Sequence, residues 1–493
     1  MINAKQIFDN MSISYFNEDG IIEIMNLPIS DNEKFIWEET TEEDRYKHNV
    51  ITSQFDRPVK RIRKNYLSKY RQIEYINNLP QELKDKIFSD NKPKKWFWDI
   101  ETEIIDGVFP DASNPIGKIL LHTICDEFGN GTIFGLKPMT GEELKRIEID
   151  LINHLSKVKD KKLIKKVNLQ YRQYADEYSM NHDFISNYMI KFPITFGWNV
   201  LKFDAQYFFN RCKKLGIDYV KILSPVHKSF SHSLSDKYNK ENKILLDLPL
   251  HRPIIDYMQI FEFFDQSVKY KTSMSLGFIS EEVLGVTKVE YSGNLQTLYE
   301  KDFPKFCFYG IVDAFLVQMI DEKTDIYSLM QSITNIGKVE LLFGTSVSII
   351  IESLFSDYYY RVYNKVFIKK ENVHEGYDGA FVIDPIVGLY EYIGIYDFES
   401  LYPSIMQFLN IGLDTFVGQT YGGDKTTVIT NTGEQMPFDK ATMIRANNGV
   451  VYTNKIEGCV RTSINELFTR RVNAKYANND IGNEVEQLKK LLI

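Results

Sequence analysis

Cysteine is scarce in this chain: Cys125, Cys212, Cys307 and Cys459 are the four among 493 residues. Their isolation excludes a paired zinc motif and a disulfide framework, and reads as free thiols in a reducing compartment. Proline is sparse too, at 15 residues, and with 43% hydrophobic residues this excludes a Pro-rich disordered polymer and fits a folded protein. The first residues lack an apolar signal core and no uninterrupted apolar run reaches membrane-spanning length, so a soluble, non-secreted protein without membrane attachment is expected. An excess of positive charge is also missing. A net charge of -8 would by itself argue against a nucleic-acid partner, but acids that hold divalent ions lower the total without repelling phosphate, because the ions invert the local field.

What is present begins with length: 493 residues imply three or four domains with ample material for cores. Trp96-Phe97-Trp98-Asp99-Ile100-Glu101 reads as an apolar strand with two acids two residues apart, hence on one side. Two carboxylates aimed together repel unless protonated or bridged by cations. Ile116–Cys125 and residues 131–135 supply two more strands, making a three-strand meander. Residues 142–172, rich in Lys and Glu, read as helical, with Lys157 to Lys166 on the surface. Phe192 to Asn199 reads as a strand entering a turn, with Asp204 opening a helix through Tyr207, Phe208 and Arg211. Residues 220–250 read as a loop or inserted hairpin. Ser275 to Leu284 and the run around Tyr309 to Val317 read as helices, the second placing Tyr309 and Asp313 on one face at a spacing of four. Basic residues Arg57, Lys60, Arg61, Arg63, Lys64, Lys69 and Arg71, interleaved with Tyr66 and Tyr70, read either as a track for single-stranded template or as a solvated face.

Farther on, an apolar run ends at Asp397, and Ser400-Leu401-Tyr402-Pro403 then turns the chain, which predicts a carboxylate at a strand end beside a rigid bend into a short helix. Residues 412–451 read as turns and short strands. Ser463-Ile464-Asn465-Glu466 reads as a capping box ahead of a helix that faces its core with Ile464, Leu467, Phe468 and Val472. Arg471 and Lys475 sit four apart along that helix, side by side toward something acidic.

Asp397-Phe398-Glu399-Ser400-Leu401-Tyr402-Pro403-Ser404-Ile405 resembles motif A of the family B DNA polymerases in the form used by phage enzymes. Asn199-x-x-x-Phe203-Asp204 and Tyr309-x-x-x-Asp313 resemble the second and third exonuclease motifs of the proofreading members, following Asp99-x-Glu101 in the right order. Tyr377-Asp378-Gly379-Ala380 is similar to the Tyr-x-Gly-Gly region that lies close to the template. The resemblance implies a multidomain α/β chain: an amino-terminal polymerase domain (1–95, with parts returning near 330–370), a ribonuclease H-like 3'-5' exonuclease domain (96–330), connecting helices and the first part of the palm (331–460), and the start of the fingers (461–493). In the exonuclease, Asp99, Glu101, Asp204 and Asp313 would hold two divalent ions, Mg2+ or Mn2+, and Tyr309 would orient the attacking water. Asp256 belongs by the same resemblance to the fold. In the palm, Asp397 and the backbone carbonyl of Phe398 would hold the polymerase metals, Ser400 and Leu401 would approach the triphosphate of the incoming dNTP, and Tyr402 would exclude a 2'-hydroxyl. Glu399 carries no metal role. Arg471 and Lys475 would reach the triphosphate, and Lys490 is a further candidate.

The resemblance stops before a complete motif B and before motif C. The sequence therefore reads either as a truncated piece or as the first half of a split polymerase, whose partner polypeptide would carry motifs B and C and any contact to a sliding clamp. Primer-template DNA and a single-stranded 3' end are the expected ligands, and the cytoplasm of an infected bacterium the expected setting. A stand-alone 3'-5' exonuclease and a non-enzymatic DNA-binding assembly subunit are the competing expectations.

Overall fold

The computed structural model describes residues 1–46, 50–53, 57–64, 67, 69–234, 244–265, 267, 271–290, 293–366, 383–384, 386–396, 398, 400–421, 426–430 and 432–476. They form two compact units: residues 1–29 with 79–346, and residues 30–78 with 347–493.

The first unit is built on a six-stranded mixed sheet. Its strands are β1 (Lys95–Thr102), β2 (Ile119–Asp126), β3 (Asn130–Gly135), β4 (Asn168–Gln173), β5 (Ile194–Gly197) and β6 (Ile254–Asp256), in the spatial order β4-β3-β2-β1-β5-β6. β1, β2 and β3 make the antiparallel meander expected from the sequence, while β5 runs parallel to β1 and β6 parallel to β5. The aromatic run in β1 sorts by parity. Trp98 and Ile100 join a core cluster with Phe184 and Phe208, the latter on helix α1 (Asp204–Leu215). Phe97, Asp99 and Glu101 point the other way, toward helix α2 (Phe303–Thr324), which packs on β1 and β2.

α2, whose apolar residues are interrupted by Asp313 and Asp321, is by length and mean composition like a membrane span, yet most of it is buried in the unit, as in a core helix. One correction concerns residues 142–172. The helix covers only Gly141–Leu155, capped by Thr140 and Glu143 in a capping box, and β4 begins at Asn168. The lysines between form no α-helix because the segment must cross back to lie parallel to β3. The inserted hairpin within 220–250 is present as strands Ser229–Leu234 and Ile244–Pro249. A three-stranded amino-terminal sheet over residues 3–28 completes the unit, with His251 buried between the hydroxyls of Ser12 and Ser14 at 3.0 and 2.9 Å.

In the second unit, strands at residues 35–39, 50–53, 58–63 and 365–366 form a small sheet, and residues 416–453 form a five-stranded antiparallel one. Helix α3 (Leu401–Leu409) precedes the latter and α4 (Cys459–Tyr476) follows it. The basic interval does not read as a free template track. Arg71 is buried, paired with Glu74 and set 3.8 Å over the Phe35 ring; Arg63 meets Asp31 at 3.2 Å and Arg57 meets Glu39 at 3.3 Å. Arg61 stacks on Phe35 and Trp37. Of these cations only Arg71 is buried, while the Arg63 and Arg57 pairs lie at the surface, where they add little to stability, and Tyr66 lies outside the described residues. The capping-box reading of Ser463 is also overturned. α4 starts four residues earlier, where the Cys459 N–H donates to Asp414 Oδ2 at 2.7 Å, so the helix start is held by a carboxylate distant in sequence.

Candidate active site

β5 pairs with β1 only as far as Phe97, so beyond that point β1 has no neighbouring strand on that side. The Ile100 N–H left open there is taken by Asp204 Oδ1 at 3.2 Å, from the first turn of α1. On the α2 side of the same strand end, Asp99, Glu101 and Asp313 converge, each offering a carboxylate oxygen within 4.8 Å of the others. The four acids predicted from sequence thus meet at one place. Three form the tight group, and Asp204 stands beside them bound to the backbone. At Gly310 the helix comes close to the sheet, where a β-carbon would lie 3.3 Å from Thr123 Cγ2 and 3.5 Å from Glu101 Cγ, a snug fit rather than a clash. Thr123 fastens the contact by donating to the Gly310 carbonyl at 3.1 Å.

Burial raises every one of these carboxyls, and repulsion within the group adds to it for Asp99 and Glu101. Glu101 is pushed up to about 8, by burial first and then by Asp313, and Asp204 to about 7, again chiefly by burial. Asp99 lies well above the ordinary range through burial and the charges of Asp204 and Asp313, and Asp313 is raised by burial although Lys288 opposes it. Lys288 Nζ sits 2.5 Å from Asp313 Oδ2 and 5.4 Å from the Tyr309 ring centroid. Burial works against the Lys288 charge, but Asp313, Tyr309 and Asp99 together hold it on. Asp313 Oδ1 is buried with no hydrogen-bond partner among the described residues. An oxygen-rich, mutually repelling cluster with an unpartnered buried carboxylate oxygen fits a divalent cation that prefers oxygen ligands.

A sign follows for pH. An acid whose folded pKa exceeds its unfolded value stabilises the fold below the unfolded pKa and loses that contribution as pH rises through the folded one. The melting temperature of the chelator-treated chain is therefore expected to fall as pH rises from about 4.5 to the Glu101 value of about 8, and Mn2+ is expected to remove most of that slope. Thermal scans across this range with and without Mn2+ check it, and a slope that Mn2+ leaves unchanged would contradict the assignment.

Beside the acids, residues 103–117 leave Phe109 78% exposed, its ring 5.5 Å from that of Phe203. A cavity of about 260 Å³ opens there, lined by Glu103, Ile105, Val108, Phe109, Ile116 and Tyr207. Asp256 keeps out of the site. Its carboxylate accepts from the N–H groups of Asn199, Leu201 and Met258 at 3.0, 3.3 and 3.1 Å, as suits a fold-holding residue.

In the second unit, Pro403 is buried in the first turn of α3, giving the expected bend into a short helix. Ser400 takes φ +56°, a conformation costly for a side chain with a β-carbon. Leu401, Tyr402 and Phe398 are exposed. Asp397 and Glu399 lie outside the described residues, as do Tyr377 to Ala380 and Lys490. The expected strand ahead of Asp397 is not formed: Ile393 to Tyr396 have no strand pairing and lie exposed, with no neighbouring strand among the described residues to fix an extended register. Arg471 and Lys475 fall within α4, their side chains outside the description.

Comparison with known families decides the matter. Residues 46–263 match the model for "DNA polymerase family B, exonuclease domain", and residues 339–492 match that for "DNA polymerase family B". The chain belongs to DNA polymerase family B. It is 28% identical over 389 residues to the DNA-directed DNA polymerase of Escherichia phage RB69, an alignment covering 76% of this chain and 41% of that protein. Against the DNA-directed DNA polymerase of Enterobacteria phage T4 the figures are 27% over 331 residues, 66% and 35%. The DNA polymerase delta catalytic subunit of Schizosaccharomyces pombe is 26% identical over 334 residues, 65% and 28%. The chain therefore spans about two-fifths or less of the length of these relatives. Family B exonuclease domains use divalent metals, and the carboxylate group of this family B chain is placed to receive them. Tyr309 and Asp313 lie beyond the matched exonuclease segment, and it is α2 that carries them back to β1. Sequence reasoning missed Lys288, Gly310 and Phe109. A lone lysine, glycine or phenylalanine carries no spacing pattern, and only the fold brings these three to the acids.

Proposed function

We propose that this chain is a 3'-5' proofreading exonuclease and the amino-terminal part of a DNA-directed DNA polymerase. The observation that carries the exonuclease reading is the convergence of Asp99, Glu101 and Asp313 within 4.8 Å at an open strand end. Asp99, Glu101, Asp204 and Asp313 would hold two divalent ions, Mg2+ or Mn2+, which supply charge neutralisation at the scissile phosphate and acidify the attacking water. The protein's own part is positional. Tyr309, one turn before Asp313 on α2, orients the water, and Lys288 offers a cation beside the same group for the developing phosphate charge. Exposed Phe109 and its neighbour Phe203 give the terminal base a surface to stack on. A mismatched or single-stranded 3' end reaches this surface more cheaply, because a paired end must first pay a few kcal/mol, roughly, to unpair.

Rates on 3' ends are thus expected in the order single-stranded, mismatched, paired. Phe109→Ala is expected to raise KM for single-stranded ends about tenfold, the lower range of one lost base stack, with a smaller change in kcat. Steady-state assays on the three substrates test both statements, and equal rates on all three would remove the proofreading reading. A stand-alone exonuclease would have no use for residues 397–405. An inactive assembly subunit would have no use for four acids held against their own repulsion.

For polymerisation, Asp397 and the carbonyl of Phe398 would form half of a metal clamp, Ser400, Leu401, Arg471 and Lys475 would meet the dNTP triphosphate, and Tyr402 would lie under its sugar. Templated addition would need motifs B and C in addition to these residues, whether from more of the same polypeptide or from a second one, through which a sliding clamp would also be reached. The exposed Ile386, Val387, Leu389, Ile393 and Ile395 offer an apolar surface of the kind that further protein covers. The domain division proposed with it is 1–95 amino-terminal, with parts returning near 330–370, 96–330 exonuclease, 331–460 connecting helices and first part of the palm, and 461–493 start of the fingers. The setting is the cytoplasm of an infected bacterial cell.

A further inference from the structure

Two turns along α2 from Asp313, a second charged group is buried in the same helix-sheet interface. Lys95 Nζ and Asp321 Oδ2 meet at 2.7 Å, with the residues 8% and 3% exposed. Lys95 opens β1 and shares the strand face of Asp99 and Glu101, while Asp321 lies on α2 beyond Asp313. The spacings match. From Lys95 to Asp99 is four strand residues, about 13 Å at about 3.3 Å each; from Asp313 to Asp321 is eight helix residues, about 12 Å at about 1.5 Å each. β1 and α2 therefore run antiparallel with a polar contact at both ends and apolar residues such as Phe97 and Val317 between.

The pair is poorly suited to a purely stabilising role. Asp321 Oδ1 and the nearby Tyr327 hydroxyl have no hydrogen-bond partner among the described residues, although Lys95 lies 5.1 Å over the Tyr327 ring. Burying two charges costs about what their attraction returns, so apolar residues of similar size would hold the fold as well. What apolar packing alone does not supply is a unique register, since a helix can shift along a sheet by part of a turn while still covering it. A charged pair in a dry interface tolerates no such shift without stranding a charge.

We propose that Lys95 and Asp321 are positioning residues that fix the register of α2 on β1, and with it the separation of Asp313 from Asp99 and Glu101. The inference rests on the reading of those acids as a metal centre. It is tested on the full chain by titrating Mn2+ alone, followed by calorimetry and by the electron paramagnetic resonance signal of free Mn2+, with the melting temperature of the chelator-treated protein recorded in parallel. In the apolar double variant K95M/D321L, the chelator-treated melting temperature is expected to stay close to that of the parent, while Mn2+ binding weakens about tenfold, the lower range for residues that support ligands. A merely structural pair would give the opposite: Mn2+ bound as tightly as by the parent, at whatever stability, overturns the proposal. If the double variant does not fold, Asp321→Glu carries the test, because it keeps both charges and lengthens the pair by one methylene. Mn2+ binding weakened in a variant that melts like the parent supports the proposal, and unchanged binding overturns it. Glu101→Gln distinguishes the two layers. A parent that binds Mn2+ no better than Glu101→Gln overturns the metal centre and this inference with it, whereas a parent that binds through Glu101 while K95M/D321L binds equally well overturns the register role alone.

Discussion

Glu101→Gln is expected to lower exonuclease turnover by about a thousandfold or more, which corresponds to about 4 kcal/mol of lost transition-state stabilisation, and at the same time to make the metal-free protein more stable at alkaline pH. The two effects have one cause. Glu101 is buried beside Asp313 and Asp99 and keeps its proton up to about pH 8 without metal. Above that pH it adds a charge that Lys288, paired directly with Asp313, offsets only in part. An amide of the same shape removes the repulsion and the metal ligand together. The gain in melting temperature should therefore build as pH rises from about 4.5 to about 8, stay constant above that, and vanish below about pH 4.5, where Glu101 is protonated in the folded and the unfolded chain alike. With Mn2+ the order reverses. At about 100 times Kd the ion stabilises the parent by about 2.7 kcal/mol and the variant far less. A variant that loses activity and stability together at every pH would point to a damaged core rather than a metal centre.

The second large effect concerns nucleotide addition. The full chain alone is expected to extend a primer at a rate indistinguishable from background. Mixed with a polypeptide supplying motifs B and C of a phage family B polymerase, it is expected to gain templated extension by at least about a thousandfold, since half of a two-metal clamp provides neither alignment nor charge neutralisation. In the reconstituted pair, Asp397→Ala should abolish extension and leave 3' degradation intact, while Glu101→Gln should do the reverse. Extension assays on a primed template, with the two variants run in parallel, separate the sites. Robust extension by these residues alone would refute the need for motifs B and C.

Much of the candidate exonuclease site was legible in the sequence through its resemblance to the family's motifs, with local periodicity adding which of its residues share a face. Asp99 and Glu101 share a strand face at a spacing of two, Tyr309 and Asp313 a helix face at a spacing of four, and Asp204 opens a helix directly after a strand. What could not be read is what long-range packing decides. Lys288 reaches Asp313 only because its loop passes beside α2. Arg71 reads as a surface cation in a basic run, yet it is buried under the Phe35 ring and tied to Glu74. The start of α4 was misplaced for the same reason, since Ser463 has local capping chemistry but Asp414, 45 residues before Cys459, holds the actual helix start. α2 shows the converse: its composition suits a lipid bilayer, and only the sheet beside it makes it a core helix.

The most direct test of the account is the fate of a 5'-labelled single-stranded oligonucleotide incubated with the full chain and Mg2+ or Mn2+. The account predicts a ladder shortening one nucleotide at a time from the 3' end, absent with chelator and absent with Asp313→Asn. Release of the label from the 5' end, or an undiminished ladder in Asp313→Asn, would contradict it.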